Sequence, residues 1–432
     1  MKLYSTKNPT KFVSLKEAVF KGLPEDNGLY MPERIPHLSD NFIKNLKSQS
    51  FQSIAFEVAK TMIGDAIPEN DLKNIVESAI DFPAPVVKLD DSTHILELFH
   101  GPSLAFKDFG ARFMAQLMSY FNRNDNQELV ILVATSGDTG GAVAAGFYEA
   151  VGIKVVILYP SGKVSMLQEK QLTTLGKNIA ALEVDGTFDD CQALVKQAFL
   201  DDTLTSKIRL SSANSINIAR LIPQSFYYFE AYKQLNTKGK PVIFSVPSGN
   251  FGNLTAGLFA KKMGLPVHEF IAATNANDVV PQYLETGEYK PTPSVRTLSN
   301  AMDVGNPSNF ARMLDIYSST WNNMIKEIKG YTFDDESTKE GVKEVFQKYN
   351  YIIDPHGAVG YLALKEYQKE HDVVGVVLET AHPTKFLEDM ESILEQKIPI
   401  PERLASLTDK EKSATQIGTD FVGFKEWLIK NY

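Results

Sequence analysis

Short apolar runs alternate with longer helical stretches from about residue 88 onward, and this alternation narrows the possible folds of the 432-residue chain most sharply. The runs are rich in Val, Ile and Leu with little polar alternation, which is typical of strands buried on both faces of a sheet. Strands that alternate with helices indicate βαβ units and a mostly parallel sheet. The predicted strands are Ile95–Phe99, Leu129–Ala134, Val155–Tyr159, Ile179–Val184, Val242–Val246, Glu269–Thr274 and Val373–Leu378.

The length of the chain predicts two or three domains. Apolar residues at helical spacing between Leu38 and Ile80 predict a mainly helical N-terminal domain at residues 1–88, which we interpret as a packing layer. We expect residues 89–235 to form one α/β region that includes a smaller domain. Residues 236–432 should form a larger α/β domain with C-terminal helices.

Composition excludes several classes of protein. The net charge of −9 argues against a nucleic-acid-binding protein, whose surface would be basic. With one cysteine no intrachain disulfide can form, which fits a reducing compartment. The seven scattered histidines do not assemble a zinc site. Because the sequence shows neither a signal-peptide core nor 18 consecutive apolar residues, we expect a cytoplasmic enzyme with no membrane partner.

Four loops directly follow predicted strands, which is where open α/β sheets bind their ligands. In the first loop, 100–110, Lys107 lies between Phe106 and Phe109. An apolar setting lowers the pKa of a lysine, as a nucleophilic amine requires. The alternative is a surface lysine paired with Asp108, which is the common situation for a lone lysine.

The second and third loops, 135–141 and 247–253, are rich in small residues and lead into helices. Backbone N–H groups at such helix N-termini bind anions. The second loop suits a substrate carboxylate and the third suits a phosphate, although each could also be a plain turn before a capped helix. Neither matches a nucleotide-binding pattern, since the chain contains no Gly-Lys-Ser/Thr and these loops are not G-x-G-x-x-G.

The fourth loop spans 379–386. Thr380 could offer its hydroxyl to a ring nitrogen or cap a helix, and we interpret His382 as a turn or capping residue rather than a catalytic base. A polar stretch, 211–220, is either a capped helix or a wall of a substrate pocket. Together the loops suggest a phosphorylated cofactor bound through a lysine.

The wording of the loops is more specific than their composition. The informative runs are ELFHGPSLAFKDFG at 97–110, ATSGDTGG at 134–141, SGNFGN at 248–253 and TAHPTKF at 380–386, with Tyr4–Thr6 and Gly28–Pro32 near the N-terminus. In this order the runs resemble the motifs of the threonine synthase family, in its longer microbial and fungal branch. Differences from the family pattern are slight: Ser103 stands where Thr is common, and Thr384 where Ala is expected.

This resemblance implies a pyridoxal-phosphate (PLP) enzyme of fold type II, with two open, mostly parallel α/β domains and an N-terminal helical domain. Lys107 would attach the cofactor and act as the catalytic base, Thr380 would bond the pyridine nitrogen, and Asp138 would lie near the cofactor's O3′. The larger domain would hold the phosphate with Gly249, Asn250, Phe251, Gly252 and Asn253. The candidate substrate contacts are Ser136 and Thr139 at the carboxylate, with Ser103, Arg112, Asn214 and Arg220.

The implied reaction converts O-phospho-L-homoserine and water into L-threonine and phosphate by γ-elimination and β-addition. Such an enzyme is a carbon–oxygen lyase acting on phosphates, in the last step of threonine biosynthesis. Arg112, Lys163 and Arg220 are the candidate cations for the substrate phosphate. We expect a monomer or homodimer. The alternatives are a dehydratase or β-replacement enzyme of the same fold, a PLP-free regulatory homologue and, least favoured, a nicotinamide oxidoreductase.

Overall fold

The computed structural model describes residues 1–125 and 127–432. Their strands form one small antiparallel sheet and two larger sheets. The strands are β1 Lys2–Ser5, β2 Asn8–Ser14, β3 Tyr30–Pro32, β4 Val86–Lys88, β5 Thr93–Glu97, β6 Leu129–Ala134, β7 Ile153–Pro160, β8 Ile179–Val184, β9 Arg209–Ser212, β10 Val242–Pro247, β11 Glu269–Thr274, β12 Ile328–Thr332, β13 Val374–Glu379 and β14 Thr415–Ile417.

Helices cover both larger sheets and connect their parallel strands. The α-helices are α1 Leu15–Lys21, α2 Asp40–Lys44, α3 Phe51–Ile63, α4 Glu69–Ala79, α5 Lys107–Asn122, α6 Asp138–Phe147, α7 Met166–Thr173, α8 Phe188–Leu200, α9 Asp202–Thr205, α10 Ile218–Leu221, α11 Phe226–Gln234, α12 Gly252–Lys262, α13 Val279–Thr286, α14 Phe310–Ile316, α15 Trp321–Met324, α16 Asp335–Tyr349, α17 Pro355–Gln368, α18 Leu387–Leu394, α19 Glu402–Thr408 and α20 Phe421–Asn431. Short 3-10 helices lie at Leu46–Ser48, Gly64–Ala66, Ile222–Ser225, Asn300–Met302 and Pro383–Phe386.

The two larger sheets are mostly parallel, as the run of buried strands predicts. The six-stranded sheet, called the larger sheet below, has the order β12-β11-β10-β13-β5-β4. The five-stranded sheet, called the smaller sheet, has the order β14-β8-β7-β6-β9. The only antiparallel pair recorded in these two sheets, within the described residues, joins β4 to β5. The prediction of a doubly domained, mostly parallel α/β fold is confirmed, and the carboxyl ends of β5, β6, β10 and β13 carry the four loops singled out in the sequence.

All seven predicted strands are present, with bounds shifted by two residues or fewer at each end. In the two larger sheets the apolar pattern missed β4, β9, β12 and β14, and each of these pairs with a single neighbour at a sheet edge. A strand at the edge of a sheet pairs with a neighbour along one edge and meets solvent along the other, so it needs no continuous run of apolar residues. The sequence signal therefore finds the centre of each sheet and not its margins.

Sheet pairing cuts across the predicted domain boundaries. Strand β5 belongs to the larger sheet, where it pairs with β13, although we expected 89–235 to be separate from 236–432. Strand β14, near the C-terminus, pairs with β8 in the smaller sheet. The N-terminal region is also not purely helical, because β2, β1 and β3 form an antiparallel sheet there. Strand β2 is almost wholly exposed, so it carries no apolar periodicity that could predict it.

The N-terminal domain supports the helix that begins at Lys107. Phe109 of α5 is fully buried, and its ring centroid lies 6.0 Å from that of Phe51, 4.7 Å from Phe82 and 5.3 Å from Tyr227. Clustered aromatic side chains of this kind stabilise a core beyond their buried area. The first turn of α5 is therefore fixed from behind by the packing layer predicted for residues 1–88.

Among the described residues, no helix is both long and apolar enough to cross a membrane.

Candidate active site

Lys107 is the first residue of α5, and its loop runs beside the loop that follows β13. The Phe106 N–H donates to the Thr380 carbonyl at 2.8 Å, and the His382 N–H donates to the Leu104 carbonyl at 3.0 Å. Leu104 has a φ of +57°, a left-handed conformation that costs a non-glycine residue about 1–3 kcal/mol and is concentrated at functional sites. These contacts place Lys107 next to Thr380, as the resemblance implies.

Lys107 faces a buried ion pair. Its Nζ lies 3.8 Å from Oδ2 of Asp138, and the side chain is 17% exposed. Asp138 accepts at Oδ1 from Nζ of Lys385 at 2.7 Å and from Nε2 of Gln168 at 3.0 Å. Asp108, the carboxylate that a surface lysine would have paired with, is instead turned toward the backbone N–H of Ser103 at 2.9 Å. The structure thus favours the buried amine over the surface-lysine alternative.

The charges of this cluster oppose one another. Burial lowers the pKa of Lys107, the positive charges of Lys385 and Arg220 lower it further, and the Asp138 carboxylate acts in the opposite direction. Burial alone would raise the pKa of Asp138, but the charges of Lys385 and Lys107 outweigh it and hold that pKa well below its usual range. Asp138 is therefore an anion, and Lys107 is an amine that loses its proton more readily than a free lysine.

Ser103 and Asp108 belong to the same segment, 100–110, as Lys107. Asp108 is fully buried, and burial raises its pKa to about 6. A Cβ at Gly101 would overlap the Asp108 carboxylate, so this position needs glycine. The Ser103 carbonyl accepts from Nζ of Lys385 at 2.9 Å and from Nε2 of Gln171 at 3.0 Å. The buried Ser103 hydroxyl makes no hydrogen bond of regular geometry among the described residues, but it lies near the Asp108 carboxylate and acts against the rise of that pKa.

The loop between β6 and α6 is organised by a residue that sequence reasoning did not single out. Oγ1 of Thr135 accepts from the N–H groups of Gly137 at 2.9 Å and Gly140 at 2.8 Å. The N–H groups of Ser136 and Thr139 have no acceptor within the described part of the chain. Ser136 is exposed and Thr139 is half-buried, so both remain available to a small anion at the start of α6.

The loop between β10 and α12 is built to present its backbone. The N–H groups of residues 250–253 have no acceptor in the described ranges. The Asn253 side chain is occupied inside the loop, where it accepts from the Ser248 hydroxyl and donates to the Pro247 carbonyl at 2.9 Å. Phe251 adopts a left-handed φ of +59°. A Cβ at Gly249 would lie 2.7 Å from Cα of Met302. These N–H groups, rather than the asparagine side chain of residue 253, are what the loop offers to a phosphate.

Asn309 is a further donor at this loop, and no sequence signal identified it. Its side chain is fully buried, and Nδ2 has no partner among the described residues. Its Oδ1 accepts from Nη1 of the buried Arg312 at 2.6 Å, which fixes the orientation of the amide. Nδ2 would lie 3.5 Å from a Cβ placed on Gly252. A buried, unpaired amide beside free N–H groups is a suitable set of donors for an anion such as a phosphate.

The end of β13 is held rigidly beneath Thr380. Asp354, at the start of α17, accepts at Oδ2 from the Ala381 N–H at 3.2 Å. Its own N–H donates to Oε1 of Glu379 at 2.6 Å. Burial, aided by the nearby Asp354 charge, raises the pKa of Glu379 well above its ordinary value. Thr380 lies between two residues fixed by Asp354, which orients its hydroxyl-bearing side chain.

His382 caps the 3-10 helix that follows, because its side chain accepts from the Thr384 N–H. The prediction of a capping histidine is confirmed. Burial lowers its pKa to about 4, so the ring is neutral at physiological pH and Nδ1 is free to accept. The half-buried ring also packs edge-on against Phe99, with 5.1 Å between the centroids.

Arg220 and Asn214 lie on the α10 side of the site. Arg220 is 3% exposed, donates from Nη1 to the Ala213 carbonyl at 2.6 Å, and keeps Nε without a partner among the described residues. A Cβ at Gly110 of α5 would lie 2.6 Å from that Nε, so the arginine packs on the backbone one turn beyond Lys107. Oδ1 of Asn214 is also buried without a described partner. Both residues thus remain candidates for substrate contact.

Arg112 is not brought to this cluster. Its guanidinium donates to the Ala79 carbonyl at 3.0 Å and the Ser78 carbonyl at 2.7 Å, and it pairs with Asp81 at 2.5 Å. These contacts tie α5 to the C-terminal end of α4, which is a structural use that the sequence pattern did not distinguish from substrate binding. Lys163, the third candidate cation, is exposed in the turn after β7.

Three family models match the chain. A model described as pyridoxal-phosphate dependent enzyme matches residues 82–379. One described as threonine synthase N terminus matches residues 2–80, and one described as threonine synthase, C-terminal, matches residues 357–427.

Curated relatives match the chain over essentially the full length of both proteins. The chain is 48% identical to a threonine synthase of Serratia marcescens over 431 residues, covering 99% of each chain. Among solved structures, threonine synthase from Escherichia coli matches with a TM-score of 0.92 at 44% identity, covering 100% of both chains. PLP-bound threonine synthase from Brucella melitensis matches with a TM-score of 0.93 at 34% identity, covering 99% of this chain and 98% of that one.

Proposed function

The chain belongs to the threonine synthase family of PLP-dependent enzymes, and from this premise we propose that Lys107 attaches the cofactor and that O-phospho-L-homoserine is the substrate. The protein is a PLP-dependent lyase of threonine biosynthesis. We further propose that it acts in the cytoplasm as a monomer or homodimer.

The buried position of Lys107 carries the assignment of the attaching lysine. The amine has a lowered pKa, lies beside the Thr380 loop and faces the Asp138 carboxylate 3.8 Å away. A desolvated lysine is the usual form of an amine that binds an aldehyde covalently. In this assignment Thr380 bonds the pyridine nitrogen, and Asp138 lies near the cofactor's O3′. The contact between Lys385 and Asp138 supports the latter, because it supplies the donor that a carboxylate beside a phenolate requires.

We assign the cofactor phosphate to the N-terminus of α12. The N–H groups of residues 250–253 and the buried Nδ2 of Asn309 support this assignment, because they are donors without acceptors in the described structure. Gly249 and Gly252 keep the backbone accessible, and the Asn250 carbonyl accepts from the Asn309 N–H at 3.2 Å, which joins the two sets of donors. A doubly charged phosphate at a helix N-terminus is also stabilised by the helix dipole.

PLP, when bound, supplies the electron sink that makes the substrate's Cα and Cβ protons removable. The Lys107 amine would remove the Cα proton and later return one to that carbon. A second proton leaves Cβ as phosphate leaves Cγ, and Cγ then gains a proton to become the methyl group. The hydroxyl of water adds at Cβ and its remaining proton stays with the phosphate, so the atoms of substrate and water are all found in threonine and phosphate. The neutral Thr380 hydroxyl does not protonate a ring nitrogen, which favours elimination and replacement over transamination.

The proposed substrate contacts lie in segments that follow strands of both larger sheets. We propose that the N–H groups of Ser136 and Thr139 bind its carboxylate, with Ser103 offering a hydroxyl. Arg220 is the favoured cation for the departing phosphate, because its guanidinium is buried near Lys107 and retains an unpaired Nε. Asn214, with a buried unpaired oxygen, can accept from the substrate.

The reaction is tested by measuring threonine and phosphate released from O-phospho-L-homoserine by PLP-loaded protein. We expect the two products in equal amounts. L-serine and L-threonine are the comparison substrates, since a dehydratase of the same fold would convert them to oxo acids and ammonia. If a yellow holoenzyme released neither product, the assignment of the cofactor would stand and the assignment of the substrate would be wrong.

The attachment site is tested with Lys107→Ala. Borohydride reduction of the wild-type holoenzyme should fix about one PLP per chain on the peptide that contains Lys107, as read by mass spectrometry. The Lys107→Ala protein should retain no fixed PLP and lose turnover. Lys397→Ala is the matched control, because Lys397 is 92% exposed and, within the described part of the chain, pairs only with Glu391. Equal fixation in the Lys107 variant would show that the assignment is wrong.

A further inference from the structure

Lys385 connects the two larger sheets across the active site. It lies in the loop that follows β13 of the larger sheet, and its side chain is 1% exposed. Its Nζ donates to Asp138, which begins α6 of the smaller sheet's domain, at 2.7 Å. Its carbonyl accepts from the hydroxyl of Ser165, the cap of α7, at 3.3 Å. A fully buried ammonium that makes such contacts serves a defined partner, since burying it unpaired would be very costly.

The geometry divides the negative charge of Asp138 unequally. Lys385 contacts Oδ1 directly, whereas the Nζ of Lys107 stands 3.8 Å from Oδ2. Gln168 also donates to Oδ1, but it is neutral and cannot replace the charge of Lys385. Without Lys385, the buried carboxylate would face Lys107 as its remaining cation. An opposite charge at this distance favours the protonated form of a lysine.

We propose that Lys385 is a positioning residue that favours the unprotonated form of the Lys107 amine by holding the Asp138 carboxylate in a separate ion pair. This inference rests on the proposed function, in which Lys107 must be neutral both to bind the cofactor aldehyde and to accept the Cα proton. Arg220 of α10 also faces Lys107, and its positive charge acts in the same direction as that of Lys385. The other titratable groups near Lys385 are Asp108 of α5 and His382 of its own loop.

The test measures Lys107 without the cofactor. Cofactor-free protein is reductively methylated with formaldehyde and cyanoborohydride over a series of pH values, and the extent of methylation of the Lys107 peptide is read by mass spectrometry. In Lys385→Met, the apparent pKa of Lys107 should rise by about 1–3 units. Lys385→Arg, which preserves the charge, should return it toward the wild-type value. Lys425→Met is the matched control, because it removes another 2.7 Å Lys–Asp contact, to Asp201, outside the active-site loops.

A second variant keeps the inference falsifiable if Lys385→Met does not fold. Asp138→Asn removes the anion, so the apparent pKa of Lys107 should fall below the wild-type value. A Lys107 profile unchanged in folded Lys385→Met, or unchanged in Asp138→Asn, would overturn the inference. Borohydride fixation of PLP on a lysine other than Lys107 would instead overturn the proposed function, and the two failures are distinguishable because the methylation is measured in the absence of PLP.

Discussion

Replacing His382 with asparagine should remove a specific loss of stability at mildly acidic pH. In the folded protein the pKa of His382 is lowered to about 4, whereas an unfolded histidine titrates near 6.5. Between these values the unfolded chain binds more protons, so the stability contributed by the neutral ring is complete above pH 6.5 and is lost as pH falls toward 4. The physical cause is burial, and protonation would also remove the acceptor for the Thr384 N–H.

The magnitude follows from the two pKa values. The full difference corresponds to about 3 kcal/mol below pH 4, of which about 2 kcal/mol is lost between pH 7.5 and pH 5. Because the ring is half-buried, solvent screening reduces the expected loss to about 1–2 kcal/mol. An asparagine oxygen can accept the same N–H as a helix cap but does not titrate in this range.

The assay is urea unfolding of cofactor-free wild type and His382→Asn at pH 7.5 and pH 5, followed by circular dichroism. We expect the wild type to lose about 1–2 kcal/mol more than the variant between the two pH values. All other titrating groups are common to both proteins, so they cancel in this comparison. Equal losses in the two proteins would refute the assignment of a buried neutral histidine.

Three further substitutions separate cofactor binding from structural support. Gly249→Ala places a Cβ 2.7 Å from Cα of Met302, so the loop must shift. We expect the affinity for PLP, measured by fluorescence titration, to fall at least about tenfold. An unchanged affinity would contradict the close approach of the two backbones. Asn309→Ala removes the buried phosphate donor and should weaken PLP binding by about 1–3 kcal/mol, with little change in affinity for pyridoxal, which lacks the phosphate. Arg112→Met should lower the free energy of unfolding by about 1–3 kcal/mol and leave the KM for O-phospho-L-homoserine unchanged, since its guanidinium contacts α4 and Asp81; a raised KM would return Arg112 to the substrate site.

The loops that carry the chemistry could be found from the sequence, because two local signals coincide at each. An apolar run buried on both faces marks a central strand, and a run of Gly, Ser, Thr or Asn directly after it marks a ligand-binding turn. These two signals find the loops that contain Lys107, Asp138, Gly249 and Thr380, and the resemblance to the family implies the roles of the four residues. The order of the motifs also predicted the family, its dependence on PLP and the enzyme class, which the comparisons confirm.

Contacts that join distant parts of the chain at the site could not be found in this way. Lys385 lies in one of the identified loops, but it is separated from Asp138 by 247 positions, and Asn309 is separated from Gly252 by 57, so no local pattern joins either pair. Asn309 follows no predicted strand, and its orientation depends on the buried Arg312. The same reason explains Arg112, because whether an arginine on α5 turns to the substrate or to α4 depends on packing that its neighbours in sequence do not encode.

The sequence by itself thus determined the fold class, the strand centres and the identity of the binding loops, since each depends on a periodicity or on residues adjacent in the chain. Only the tertiary structure decided which sheet each edge strand joins, how residues 86–97 and 415–417 cross between the predicted domains, and how the charge on Asp138 is shared. Those outcomes depend on distances between groups far apart in the chain. Folding sets such distances by burying the apolar faces of both sheets together, and the pKa of Lys107 depends on them.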